Sequence, residues 1–471
     1  MNTKSCLYYL GLACFPISIM ALINIFYSYY FNYLENIYSY LTAFFLPTFF
    51  GLVFFYSGKK EREIITIYEQ LILIFIIYFF ISFFISIPFY FSDYGFSFLN
   101  SYFESISGLT GTGFTVIEQV KYLDPPLILW RSSSQWIGGL YFLIFIILIF
   151  SNKQINFKMI DLTFNLEKKI NFSSNLISVT NRIFLIYLSL TALIFSLFLI
   201  SGIRIFDSLN LAVTVISSGG FLPTENLSDI IRNNFQSIIL SLSFLLSILN
   251  FYIFYNLILD RQSLKKHGED LFLIILILIF AIIFYFMNDL SLSSVFINIL
   301  SSIGNSGISS GAIPTNFALY FIILTLLGGS VLSLTSGLKF LRIYILIKAF
   351  VMEMYRLVKP NVVLNTKIMF SENKINTDYI KISFMIFILF FLSLFILSSI
   401  LLVDILDFEN SFKLSILTLT NTAASNIYGT SDIQFANLFT FSKISLIVFM
   451  VIAKVELLTV FILARKVFFK D

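Results

Sequence analysis

The chain has 471 residues, 58% of them apolar and 12% charged, with 59 Phe and 25 Tyr and a mean hydropathy of +0.92. A soluble chain carries about a quarter of its residues as charge, so a water-soluble globule is excluded and most of the chain belongs in lipid. The single histidine, His267 beside Lys265 and Lys266, excludes histidine triads, histidine metal clusters and HExxH centres. The net charge of +4 is spread over several loops, which points to no nucleic-acid partner.

In chain order, the apolar runs 6–30, 38–57, 67–90 and 125–150 each meet the roughly 20-residue length that a helix needs to cross a hydrocarbon core. The same density continues toward the C-terminus. Lys4 precedes the first run without a small-residue cleavage pattern, so this run reads as a membrane helix and not as a signal peptide. Cys6 and Cys14 fall on that helix about 12 Å apart along its axis, too far to bridge.

Lys and Arg sort unevenly between alternate gaps. Lys4, the 59–62 cluster, 153–182, 261–266, 339–381, Arg465, Lys466 and Lys470 hold 23 of the 30. The opposite gaps hold Lys121, Arg131, Arg204, Arg232 and Lys413. The positive-inside rule makes the first set, and with it both termini, cytoplasmic. The outer gaps also carry 13 acids, among them Glu104, Asp124, Asp207 and Asp404, which would concentrate cations at the outer face.

Four times a long helix is followed by a shorter apolar segment, a Gly/Ser/Thr/Asn-rich stretch and another long helix. The stretches are SISGLTGTGFTV (105–116), VISSGGFLPTE (215–225), LSSIGNSGISSGAIP (300–314) and LTNTAASNIYGTSD (419–432). The preceding segments, about 97–109, 206–217, 292–303 and 409–422, are too short to span and read as re-entrant half-helices. The fold class expected is therefore an all-α integral membrane protein of about ten transmembrane helices. It comprises an N-terminal two-helix pair (1–57) and four pseudo-repeated units, 67–150, 178–260, 268–351 and 378–468, around one central pore.

Non-helical backbone at membrane depth is tolerated where it lines a polar cavity or is buried in protein. Gly113, Gly220 and Gly307 allow backbone that turns successive carbonyls toward an axis, where they replace the water shell of a weakly hydrated cation. The half-helices aim their negative C-terminal ends at the same point. The candidate ligand stretches are Thr110, Gly111, Thr112 and Gly113; Ser217, Ser218, Gly219 and Gly220; Gly304, Asn305, Ser306 and Gly307; and Ala424, Ser425, Asn426 and Ile427.

These motifs resemble the Trk/Ktr/HKT superfamily of potassium transporters, and most closely the TrkH-type membrane subunit of bacterial Trk systems. SGLTGTGFTV resembles the family's first filter loop, PPLILWRSSSQWIGG (125–139) its first-repeat outer helix, and SSGGF (217–221) its second loop. GGSVLSLTSGLKFLRI (328–343), RLVKPN (356–361) and KVELLT (454–459) resemble later segments. The resemblance implies one glycine per loop in a single potassium filter, a homodimer in the bacterial cytoplasmic membrane, and a cytosolic nucleotide-binding regulatory partner of the TrkA type. It implies no enzyme activity and no cofactor beyond the transported K⁺. In the fourth loop Asn426 stands where the family has glycine, with Gly429 as the alternative frame.

Two gate candidates follow. The third unit's outer helix, from about Asn316 to Val351, is interrupted by Gly328, Gly329, Ser330, Ser333, Thr335, Ser336 and Gly337. This composition predicts a break below the filter, or alternatively a small-residue packing face. In the related family the segment obstructs the pore. Lys454 lies inside the last helix, either facing a polar cavity or snorkelling to the cytoplasm. The family has a positive residue, usually arginine, projecting into the pore there. Glu456 is about 200° around the helix from Lys454, so the two share no face.

The function expected is potassium uptake driven by the membrane potential, channel-like or coupled to H⁺ or Na⁺. The alternative is a sodium-permeable or sodium-coupled transporter of the same fold. A lipid-modifying enzyme would need a His, Asp or Cys cluster that the sequence lacks. The basic loops 153–169 and 356–381 suit either partner docking or simple positive-inside solvation.

Overall fold

The computed structural model describes residues 3–59, 66–151, 176–255, 268–288, 290–311, 313–359, 366–368, 374–404 and 406–456. His267, the 153–169 loop, 360–365 and 369–373 of the second basic loop, and the C-terminal basic residues lie outside this set. The described residues are helical apart from turns, loops and one isolated bridge between Lys367 and Lys374.

Helices α1 (Thr3–Tyr30) and α2 (Ile37–Gly58) form the N-terminal pair. They pack closely because Gly11, Gly51 and Gly58 lack side chains where the backbones meet; a Cβ on Gly11 would lie 2.7 Å from the Phe55 nitrogen. Ile19, Phe26, Phe45 and Phe49 point outward, as lipid-facing helices require. Cys6 and Cys14 are buried and free.

The first unit contains α3 (Ile67–Tyr90), the short α4 (Phe98–Thr110) and α5 (Pro125–Ser151). The second contains α6 (Leu176–Ile200), the short α7 (Ile205–Ile216), α8 (Asn234–Ile248) and a short continuation, α9 (Phe251–Tyr255). The third contains α10 (Gly268–Met287), the short α11 (Leu292–Ile303), α12 (Ala318–Leu327) and α13 (Phe340–Val358). The fourth contains α14 (Thr377–Leu401), the short α15 (Phe408–Leu419) and α16 (Thr440–Val455). Six of the described helices are long and apolar enough to cross a membrane alone.

The half-helices start where local chemistry places them. Ser97, Ser291 and Asp407 cap α4, α11 and α15 by accepting from the backbone N–H three residues on. Capping boxes open α3 (Thr66, Glu69) and α8 (Asn233, Gln236). The expected all-α architecture of four helix, half-helix, loop, helix units is present. The predicted break in the third outer helix is also present, since residues 328–339 separate α12 from α13.

Candidate ion pathway

Each half-helix ends in the same backbone turn. A left-handed residue follows within two positions of the helix end: Gly111 (φ 74°) directly, and Ser218 (φ 56°), Asn305 (φ 57°) and Asn421 (φ 48°) two residues on. In the last three loops the closing hydrogen bonds also coincide. Ser218, Asn305 and Asn421 donate their N–H to Val215, Ser302 and Thr418, while Gly219, Ser306 and Thr422 donate to Thr214, Ser301 and Leu417. This fixes the frame: Gly113, Gly220 and Gly307 are equivalent, and the fourth member is Ala423.

The four positions converge. A Cβ on Gly113 would lie 2.8 Å from the Ala423 methyl and 3.1 Å from the Gly220 Cα. One on Gly307 would lie 2.9 Å from the same methyl, and one on Gly220 would strike both it and the Ser306 carbonyl. Three chain segments thus lack a side chain where the fourth places one, so the glycines are needed for close approach.

The expected fourth-loop frame is corrected accordingly. Asn426 is solvent-exposed and starts a 3-10 turn, Asn426–Tyr428. Gly429 caps that turn with φ 65°, and a Cβ there would face Lys413 Nζ at 3.2 Å. Of the expected stretch, Ala424 follows the constriction directly, while Ser425 and Ile427 lie beyond it. The half-helix ends at Leu419 and not at 422, which moves the frame back by three residues. The signal was in the sequence: Thr420-Asn421-Thr422 echoes Thr110-Gly111-Thr112. Both threonine pairs are hydrogen bonded, at 2.7 Å in the first loop and 2.8 Å in the fourth.

Behind the first loop lies a buried ion pair. Arg131 Nε on α5 donates to Glu104 Oε1 on α4 at 2.9 Å, with both side chains at most 2% exposed. Glu104 also accepts from Thr115 Oγ1 and the Val116 N–H, which pins the chain rising from Gly113. The Arg131 guanidinium stacks 4.2 Å from the Phe221 ring centre and so reaches the second loop. Glu104 and Arg131 are therefore not outer-gap charges; since they cancel each other, the outer excess of acid stands. Arg131→Met should leave Glu104 buried and unpaired, at a cost of about 3–5 kcal/mol. Thermal unfolding in detergent should show a lowered midpoint, largely recovered in the Arg131→Met/Glu104→Gln double variant; equal midpoints for wild type and single variant would contradict this.

Below the constriction are the 328–339 loop and two lysines. Lys454 is 2% exposed, and its Nζ lies 4.5 Å from the Phe142 ring centre. A Cβ on Gly111 would be 3.6 Å from that Nζ, so Lys454 points up at the base of the first loop and does not snorkel. Glu456 turns away and pairs with Arg342 on α13 at 2.7 Å. Lys339, counted in the sequence as cytoplasmic, is 1% exposed, with Nζ 5.7 Å from the same Phe142 ring. It closes the loop on itself by donating to the Ser333 carbonyl at 3.1 Å and to the Thr335 carbonyl.

The loop is anchored to α10. The Val331 N–H donates to Glu269 Oε1 at 2.9 Å, and Ser330 Oγ donates to Asp270 Oδ1. Gly328 (φ 59°) and Gly337 (φ 79°) make its turns; Cβ atoms there would lie 3.7 Å from Asn305 Oδ1 and 3.8 Å from Thr420 Cγ2. The loop therefore sits against the bases of the third and fourth corners. Gly329, between them, is packed against the Ile248 carbonyl.

This arrangement defines the class: an all-helical, multi-pass membrane protein whose four repeated units meet at one constriction, with a non-helical loop and two lysines on one side of it. The comparisons agree. The chain is 26% identical over 319 residues to an uncharacterized cation transporter of Methanocaldococcus jannaschii, covering 67% of this chain and 66% of that protein. It is 23% identical over 347 residues to the Trk system potassium uptake protein TrkH of Escherichia coli, covering 69% and 71%. Its fold matches the crystal structure of the potassium transporter TrkH from Vibrio parahaemolyticus with a TM-score of 0.82 over 98% of both chains, at 19% identity. No family model matches the chain. The resemblance to TrkH-type membrane subunits read from the motifs is borne out by these relatives and by the fold.

Proposed function

We propose that the protein takes up potassium across a bacterial cytoplasmic membrane through a filter made by its four loops. The observation that carries this reading is the meeting of Gly113, Gly220, Gly307 and Ala423 at one point, each preceded by the same backbone turn. No covalent step is required. A cation sheds water to loop carbonyls, passes the 328–339 loop and the lysines, and follows the inside-negative potential, worth about 2.3 kcal/mol per charge per 100 mV. The filter ligands are backbone carbonyls of residues 110–113, 217–220, 304–307 and 420–423, and the gate is formed by Gly328, Gly329, Gly337, Lys339 and Lys454.

Both termini are assigned to the cytoplasm, and the units 67–150, 178–260, 268–351 and 378–468 to the four repeats. The TrkH relatives' names place them in a Trk system, which supports work with other Trk components; the motif resemblance makes the assembly a homodimer with a cytosolic nucleotide-binding subunit. The test is growth of a bacterial strain lacking its own potassium uptake systems on millimolar K⁺; failure of the well-expressed protein to restore growth would refute the reading. Ala423→Gly removes the methyl that crowds the constriction and should raise K⁺ flux several-fold, on the order of a 1 kcal/mol lower barrier. Unchanged flux and selectivity in that variant would show that residue 423 is not at the narrow point.

A further inference from the structure

The left-handed corner residues of the third and fourth loops are asparagines, where the first loop has Gly111. Both side chains are at least 98% buried, and each uses its two amide hydrogens in the same way. Asn421 Nδ2 donates to Thr112 Oγ1 of the first loop at 2.9 Å and to the Met450 carbonyl of α16 at 3.0 Å. Asn305 Nδ2 donates to Thr422 Oγ1 of the fourth loop at 3.1 Å and to the Thr325 carbonyl of α12 at 2.9 Å. One hydrogen ties the loop to its neighbour around the ring, and the other ties it to the outer helix of its own unit.

Each amide Nδ2 can only donate, so the threonine hydroxyls accept from it. Thr110 Oγ1 gives its proton to the Ile106 carbonyl at 2.8 Å, so Thr112 Oγ1, 2.7 Å away, donates to Thr110 and has only lone pairs left for Asn421. In the fourth loop Thr420 Oγ1 donates to Ile416 at 2.9 Å, so Thr422 donates to Thr420 and accepts from Asn305. Each relay ends on a half-helix carbonyl, and Thr422 Oγ1 also lies 3.4 Å from the Thr420 carbonyl. Ser306 Oγ, donating to the Gly219 carbonyl at 2.5 Å, joins the third loop to the second. The first and second loops meet directly at Gly113 and Gly220.

We propose that Asn305 and Asn421 are positioning residues for ion selectivity: their amides cross-tie adjacent loops and so hold the diameter of the ring that the cation must fit. This rests on the filter reading above. A ring free to contract pays less to close around a smaller cation, so loosening a tie admits Na⁺ without stopping K⁺.

The test compares K⁺/Na⁺ permeability ratios, from reversal potentials in proteoliposomes, for wild type, Asn421→Ala, Thr112→Val, their double variant and Thr112→Ser. Loss of one such hydrogen bond should lower the ratio about fivefold in each of the first two variants. The double variant should lose less than the two single losses combined, because the Asn421–Thr112 bond is common to both. Thr112→Ser keeps the hydroxyl and should restore the wild-type ratio, which a general packing defect would not do. If Asn421→Ala does not fold, the Thr112→Val and Thr112→Ser pair decides alone. Wild-type ratios in Asn421→Ala or Thr112→Val, or additive losses in the double variant, overturn the proposal while leaving the filter reading intact. Absence of K⁺ flux through the wild-type protein would instead overturn the filter reading, and the tie with it.

Discussion

Gly220→Ser should cut potassium uptake by about 10- to 100-fold while leaving the protein in the membrane. A side chain at Gly220 is driven into the Ala423 methyl and the Ser306 carbonyl, so it either blocks the constriction or pushes the third and fourth loops apart. Overpacking of this kind costs about 1–3 kcal/mol. Placed on the permeation barrier, that is about a 10- to 100-fold loss of flux. Growth rescue and K⁺ uptake by cells expressing equal amounts of wild type and variant measure it. Wild-type uptake by Gly220→Ser would remove Gly220 from the pathway.

Lys454→Met should act in the opposite direction. The ammonium lies within contact range of the base of the first loop, and on the proposed pathway a permeating cation passes it. Two like charges about 6 Å apart repel by about 3 kcal/mol at an effective dielectric of 20. Removing the fixed charge should therefore raise K⁺ flux by up to about 100-fold. Lys454→Arg keeps the charge and should remain near wild type. Tracer flux into proteoliposomes checks both variants, and a Met variant no faster than wild type would show that Lys454 is not a barrier. Lys339, on the same Phe142 ring, would retain part of the field, so the Lys339→Met/Lys454→Met pair should exceed either single change.

Much of the fold was legible because its local signals are strong. Serine and aspartate caps start three of the half-helices, and the polar, glycine-bearing stretches end them within three residues of the expected positions. Three of the four loop frames were readable because a glycine marks the closest approach. The fourth was misplaced because Ala423 has ordinary backbone and no glycine advertises it; the Thr-x-Thr echo was the remaining clue. The 328–339 break announced itself through three glycines and a run of hydroxyl residues.

What stayed hidden depends on contacts between distant residues. Glu104 and Arg131 are 27 positions apart and looked like two unrelated outer charges. Lys339 looked like the start of a basic cytoplasmic segment, whereas its ammonium folds back onto the loop that precedes it. Glu269 and Asp270 lie in the first turn of α10 and hold the loop some sixty residues later, which no local pattern signals. Asn305 read as a candidate ligand and Asn421 as one residue of a polar stretch, and only the assembled ring shows which hydroxyl each amide meets.

Diffraction from crystals of the wild-type protein soaked in thallium, a heavy mimic of K⁺, addresses the filter most directly. The account predicts anomalous density on the axis enclosed by residues 110–113, 217–220, 304–307 and 420–423, weakened in Gly220→Ser. Thallium bound only elsewhere, with none between the four loops, would contradict it.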